Sequence, residues 1–313
     1  MKHILSRVVR ITRIAQGYVS RSTAYWLGSG LSGAPPPRMP KRYCHGPFGN
    51  RRWATLAAFY PAVLAAWGSG RICALRRERR RTVAEVETVR YLPLLSAAEC
   101  ADLVERIHKL RDRWTFRQPG FFTLGLAAYM DCHDQPLSRY LEEAPLLNAI
   151  LMRNFGPIYE RLISTLQTAL GESCTLIDGH AIPGFHIWLG DGIPSQERDA
   201  GSVHFDLQYL DLGFREAEWP TQADIISFTL PVRLPAAGGG LNVWDIRFPE
   251  KAGWEIWPFT AVSRVNYSVG SLVLHSGHEL HQIAPVESID DGDERICLQG
   301  HGIRKDGNWF LYW

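Results

Sequence analysis

The stretch "GSLVLHSGHELHQIAPVESIDDGDERICLQGHG", residues 270–302, decides how the chain folds. It holds short runs of Leu, Val and Ile broken by Gly and Pro, with no helix-length insert, and it carries four histidines. Runs of this kind read as strands rather than helices, because β-branched and apolar residues fit a pleated, half-buried surface. The same pattern recurs upstream in "CTLID", "FHIWLG", "VHFDLQYL", "DIISFTLPVRL", "LNVWD" and "RVNYSVG", and downstream in "WFLYW". Eight or so strands at this spacing predict an antiparallel sandwich or barrel from Cys174 onward.

Ahead of that core the pattern is helical. In "LLSAAECADLVERIHKLRDRW", Ser96 and Glu99 form a capping box, and Cys100, Leu103, Val104, Ile107 and Leu110 share one stripe, which predicts a helix over 97–113. A second helix is expected through "APLLNAILMRNF", and a third from Pro157 to Gly171. The expected class is therefore mainly β with N-terminal helices (α+β): a helical layer over about 96–171 on a β core over about 174–313.

Charge divides the chain in two. Residues 1–82 hold 16 Lys and Arg against the single acid Glu78, whereas the rest holds 18 bases and 31 acids. The first 82 residues form a basic extension. Its opening has the Arg-bearing, acid-free composition of a transit peptide, and Trp53–Gly70 runs 18 residues without a charge, at the lower edge of a membrane span. The expectations are a cytoplasmic protein with targeting or membrane contact through 53–70, or a plain extension. Six scattered cysteines without a CxxC pair point to reduced thiols.

The chemistry gathers around His204 and Asp206 in "GSVHFDLQYL", residues 201–210. On a strand, residues two apart project to one face, so an imidazole and a carboxylate would stand together. A third ligand is available from His275, His278 or His281. "HELH" lacks the spacing of a zincin helix. Two His and one Asp on a β scaffold suit the facial triad that holds Fe(II) and leaves three positions open.

The order HxD, "GGGL", "GSLVLHSGHELHQIAPV" and then Arg on the next strand resembles the Fe(II)/2-oxoglutarate-dependent oxygenases. The resemblance implies a double-stranded β-helix (jelly-roll) core. It implies His204, Asp206 and His281 as catalytic metal ligands, since His281 opens "HQIAPV", with His275 and His278 as supporting or surface residues. It further implies Arg295 as the partner of the 2-oxoglutarate distal carboxylate, with Gln299 beside it orienting cofactor or substrate. Fe(II), 2-oxoglutarate and O₂ as co-substrate follow, and the carboxylate at Asp206 implies hydroxylation rather than halogenation. The apolar "HAIPGFHIWLGDG" and "WPTQ" favour a small or medium-sized organic substrate as partner, not nucleic acid. Trp188, Trp244 and Trp254 would line the pocket or fill the core. The same triad would also serve a non-catalytic cupin-like binding module or a Zn-dependent hydrolase, neither of which explains Arg295.

Overall fold

The computed structural model describes residues 89–132, 136–195, 201–212, 224–248 and 260–313. The expectations for 1–82, for the segment 53–70, for "WPTQ" and for Trp254 lie outside them. Among the described residues no helix is long and apolar enough to cross a membrane.

Strand β1 (Arg90–Pro93) leads into α1 (Ala97–Lys109). Ser96 and Glu99 close the capping box, and Cys100, Leu103, Val104 and Ile107 are buried, so the expected stripe is the packed face. A hairpin follows, β2 (Thr115–Gln118) and β3 (Phe121–Leu124), then the short α2 (Ala128–Asp131). The long α3 (Leu137–Leu170) comes next. The core strands are β4 (Ser173–Leu176), β5 (Gly184–Leu189), β6 (Ile225–Arg233), β7 (Gly240–Arg247), β8 (Val262–Asn266) and β9 (Ser271–His275). They end with β10 (Glu279–Ile283), β11 (Glu294–Lys305) and β12 (Asn308–Tyr312).

Three expectations need correction. The two helices expected either side of Pro157 are one: Pro145 and Pro157 both lie inside α3. A Pro inside a helix costs about 3 kcal/mol or more through its missing N–H and ring clash. Here the buried stripe Leu151, Phe155, Ile158, Tyr159, Leu162 and Leu166 runs straight past Pro157, and its packing outweighs that cost. The helix ends where expected, at Gly171 with φ of 73°. Secondly, the helical layer is interrupted by β2–β3, which joins the main sheet through β3 and β5. Thirdly, "VHFDLQYL" is not a strand. Only His204 pairs, in a single bridge to His281, and a 3-10 turn takes over at Gln208–Leu210.

The fold is a double-stranded β-helix. Its large sheet has nine strands, in the order β1-β9-β6-β11-β5-β3-β2, with β12 beside β11 and β4 beside β12. Its smaller sheet is β10-β7-β8. β11 is central: β6 lies along one edge, while β5 and then β12 share the other. Side-chain alternation divides the large sheet into two faces. Phe185, Ile187, Phe228, Leu230, Leu272, Leu274, Ile296 and Leu298 form one core with α1 and α3. The intervening residues His186, Ser227, Thr229, Arg295, Cys297 and His301 are placed by the same alternation on the opposite, inner face. There Val273 packs with Leu241, Val243, Val265 and Tyr267 of the smaller sheet.

Candidate metal centre

The site assembles where the smaller sheet meets that polar face. His204 and His281 exchange backbone hydrogen bonds, N–H to carbonyl, at 2.9 and 3.0 Å. Their rings lie 4.5 Å apart. Asp206 is set by its own N–H, which donates to the Gly277 carbonyl at 2.8 Å. Gly277 has to be glycine for this approach, because a Cβ there would stand 2.8 Å from Ser227 Oγ and 3.1 Å from Asp206 Cβ.

One ligand atom from each of His204, Asp206 and His281 lies within 4.8 Å of the others. Each imidazole is oriented through its second nitrogen: Nδ1 of His204 donates to Ser202 O, and Nδ1 of His281 to Glu279 O, both at 2.7 Å. That leaves both Nε2 atoms facing Asp206, 3.6 and 3.4 Å from its oxygens. Metal-binding histidines characteristically donate their other ring N–H in this manner, which sets tautomer and ring angle. Two imidazole nitrogens and one carboxylate, with the remaining positions open, fit Fe(II).

Electrostatics agree with an ionised carboxylate. Burial would raise Asp206, but its interactions with His281, His301 and His204 hold it well below the usual carboxylate range. Burial would likewise depress His204, yet the hydrogen bond and charge of Asp206 leave it raised. His281 is held down to about 3, chiefly by burial, so it is a neutral imidazole.

Arg295 lies on β11 with 1% of its surface exposed, and none of its three guanidinium nitrogens has a hydrogen-bond partner among the described residues. The Tyr267 ring lies against it, 5.7 Å from the guanidinium carbon. An unpaired buried charge costs several kcal/mol. The site therefore asks for an anion. Gln299 shares that face and donates to Thr229 Oγ1 at 3.3 Å.

The other histidines of the opening stretch are buried, not at the surface. His275 is 5.0 Å from the His281 ring, and His278 bonds Tyr209 Oη at 3.1 Å on Nε2. His301 lies with Nδ1 3.0 Å from Ser227 Oγ and 3.8 Å from Asp206. Trp188 stacks on Phe121 at 3.8 Å beside Arg295 on the inner face, whereas Trp244 packs with Phe205 and Leu280 as a core residue. Sequence reasoning missed Tyr129 and His186, whose side chains meet at 2.7 Å.

This architecture is the one on which 2-oxoglutarate-dependent oxygenases are built. No family model matches the sequence, and no curated protein is detectably similar to it. Solved structures are. An N-substituted L-amino acid dioxygenase from Burkholderia ambifaria AMMD aligns over 72% of this chain and 86% of its own, at 12% identity and a TM-score of 0.50. The same enzyme in complex with α-ketoglutarate (2-oxoglutarate) gives 14% identity, the same coverage and a TM-score of 0.48. The α-ketoglutarate-dependent epimerase SnoN of nogalamycin biosynthesis aligns over 70% of this chain and 81% of its own, at 14% identity and a TM-score of 0.39.

Proposed function

We propose that the protein is an Fe(II)- and 2-oxoglutarate-dependent oxygenase that hydroxylates a small or medium-sized organic molecule and releases succinate and CO₂. The observation that carries this reading is Arg295, a fully enclosed guanidinium without a counter-ion among the described residues, on the strand beside a His-Asp-His cluster. A metal-binding module or a hydrolase has no use for such a cation, whereas a dicarboxylate held by the metal at one end needs one at the other.

In this reading His204, Asp206 and His281 hold the iron. Arg295 binds the distal carboxylate through its planar fork, a geometry that Lys does not reproduce. The Tyr267 ring backs the guanidinium, and Gln299, tethered to Thr229, orients the molecule along the strand. Enclosure of these groups excludes water, which strengthens each charge interaction. When bound, iron and 2-oxoglutarate supply the oxidation by O₂, with decarboxylation of the keto acid. The carboxylate of Asp206 occupies a metal position that would otherwise be open to chloride, which favours hydroxylation.

Anaerobic addition of Fe(II) and 2-oxoglutarate is the test. The expected result is a visible metal-to-keto-acid absorption that needs both components and is not produced with Zn(II). A colourless mixture with both components at saturation overturns the reading.

A further inference from the structure

The polar face of the large sheet carries a second cluster, on the other flank of β11 from Tyr267 and Thr229. His186 on β5 pairs across to Cys297 on one side and Thr123 on the other, so its ring shares the face of Arg295 and His301. Its Nε2 lies 2.7 Å from Tyr129 Oη, while Nδ1 is buried with no hydrogen-bond partner among the described residues. Burial pushes the Tyr129 phenol far up, so it keeps its proton. Burial, followed by the charges of Arg295 and Arg117, holds His186 well below its usual range, so it is neutral. A phenol that donates to Nε2 leaves the single imidazole proton on Nδ1. In that tautomer Nδ1–H is a buried donor without an acceptor among the described residues.

The surroundings hold that donor in place. Arg117 grips Asp131 through two contacts, at 2.6 and 2.7 Å. Asp131 also accepts from the Ala127 N–H at 2.7 Å, which fixes the turn carrying Tyr129. Phe121 and Trp188 form a stacked aromatic wall next to the imidazole, with Phe121 5.2 Å from it. Both Tyr129 and His186 are close enough to Asp206 to sense its charge. A sheet that needed only a core would carry apolar residues here, as its other face does.

We propose that His186, positioned by Tyr129, determines specificity for the organic substrate: a carboxylate or amide oxygen of that substrate accepts from Nδ1, and its apolar body lies on the Phe121–Trp188 wall. This rests on the oxygenase reading above. The 2-oxoglutarate lane runs along the Arg295–Gln299 flank and leaves the His186 flank to the second substrate.

The test uses the full chain with Fe(II) and 2-oxoglutarate, without oxygen, and three probes in equilibrium dialysis: phenylacetate, phenylacetamide and ethylbenzene. The unmodified protein should bind the two oxygen-bearing probes at least tenfold more tightly than ethylbenzene. His186→Phe should compress that preference below threefold, with the 2-oxoglutarate colour titrating within twofold of the unmodified protein. Tyr129→Phe removes one oxygen and no packing, and should give an intermediate preference; if His186→Phe does not fold, this variant decides. Absence of the preference in the unmodified protein, or its persistence in the variants, overturns the proposal, as does a tenfold loss of 2-oxoglutarate affinity in His186→Phe. A colourless unmodified protein defeats the oxygenase reading alone, and the dialysis preference still decides His186.

Discussion

On one face of β11, Ile296 and Leu298 sit among Phe185, Ile187, Phe228 and Leu230, with α1 and α3 behind them. On the other, Arg295 and Cys297 are enclosed just as completely. The first face is satisfied by its own contacts, whereas the second holds a guanidinium that none of its neighbours neutralises. The comparison teaches that burial does not separate core from site in this protein. What separates them is whether the enclosed groups already have partners, since an unmet charge or donor is costly unless a ligand completes it.

The largest effect expected is on the metal. Replacing His204, Asp206 or His281 by Ala should reduce iron retained after gel filtration to background, because in the proposed reading each would supply one of three protein ligands. His278→Ala should retain it, since that ring is bonded to Tyr209 instead. A metal-free His278→Ala beside a metal-loaded His281→Ala would break the assignment.

Next comes the contrast along β11 itself. Arg295→Ala should weaken 2-oxoglutarate binding by about 2–5 kcal/mol, the cost of leaving a buried carboxylate unpaired, while iron affinity stays unchanged. Arg295→Met sharpens the point. Without 2-oxoglutarate it should melt no lower than the unmodified protein, because it removes a buried unpaired charge and keeps the volume. Leu298→Ala should do the reverse, costing about 2–5 kcal/mol of stability through the cavity it leaves. Calorimetry with and without 2-oxoglutarate checks all three.

The smallest effect lies at the start of α1. Glu99 is held down to about 2, first by the Ser96 backbone N–H, then by the Ser96 hydroxyl and Arg161. A carboxylate depressed by folding contributes stability above its ordinary value near 4.5 and loses it as pH falls towards 2. Glu99→Gln should therefore melt lower than the unmodified protein at pH 6, with the gap closing over that acidic window.

Much of this was legible in sequence, for reasons that differ by residue. Ser96, Glu99 and Gly171 act within one turn of chain, so the local pattern sufficed. His204, Asp206, His281 and Arg295 could be picked out because each sits in a short motif of definite order. The hairpin at 115–124 was missed although "QPG" marks its turn, because helical sequence flanks it on both sides. Pro157 misled because its local meaning, a helix start, was overridden by long-range packing. Tyr129 and His186 meet across 57 residues with no motif in either. Their meeting depends on how α2, just after β3, is set against β5, which no local pattern encodes.

The central position of β11 has a consequence for how the molecule is made. β5 and β6 lie on opposite sides of it and do not pair with each other, so the large sheet stays divided until residues 294–305 arrive, and β4 waits in turn for β12. The chain emerges from synthesis with the N-terminal end first. The early strands must wait, with their edges open, for a late one. Long-range pairing of this kind slows folding and prolongs exposure to aggregation. Expression at low temperature and a slow synthesis rate should raise the soluble yield more than any stabilising change in α1, since the vulnerable interval ends only when β11 takes its place.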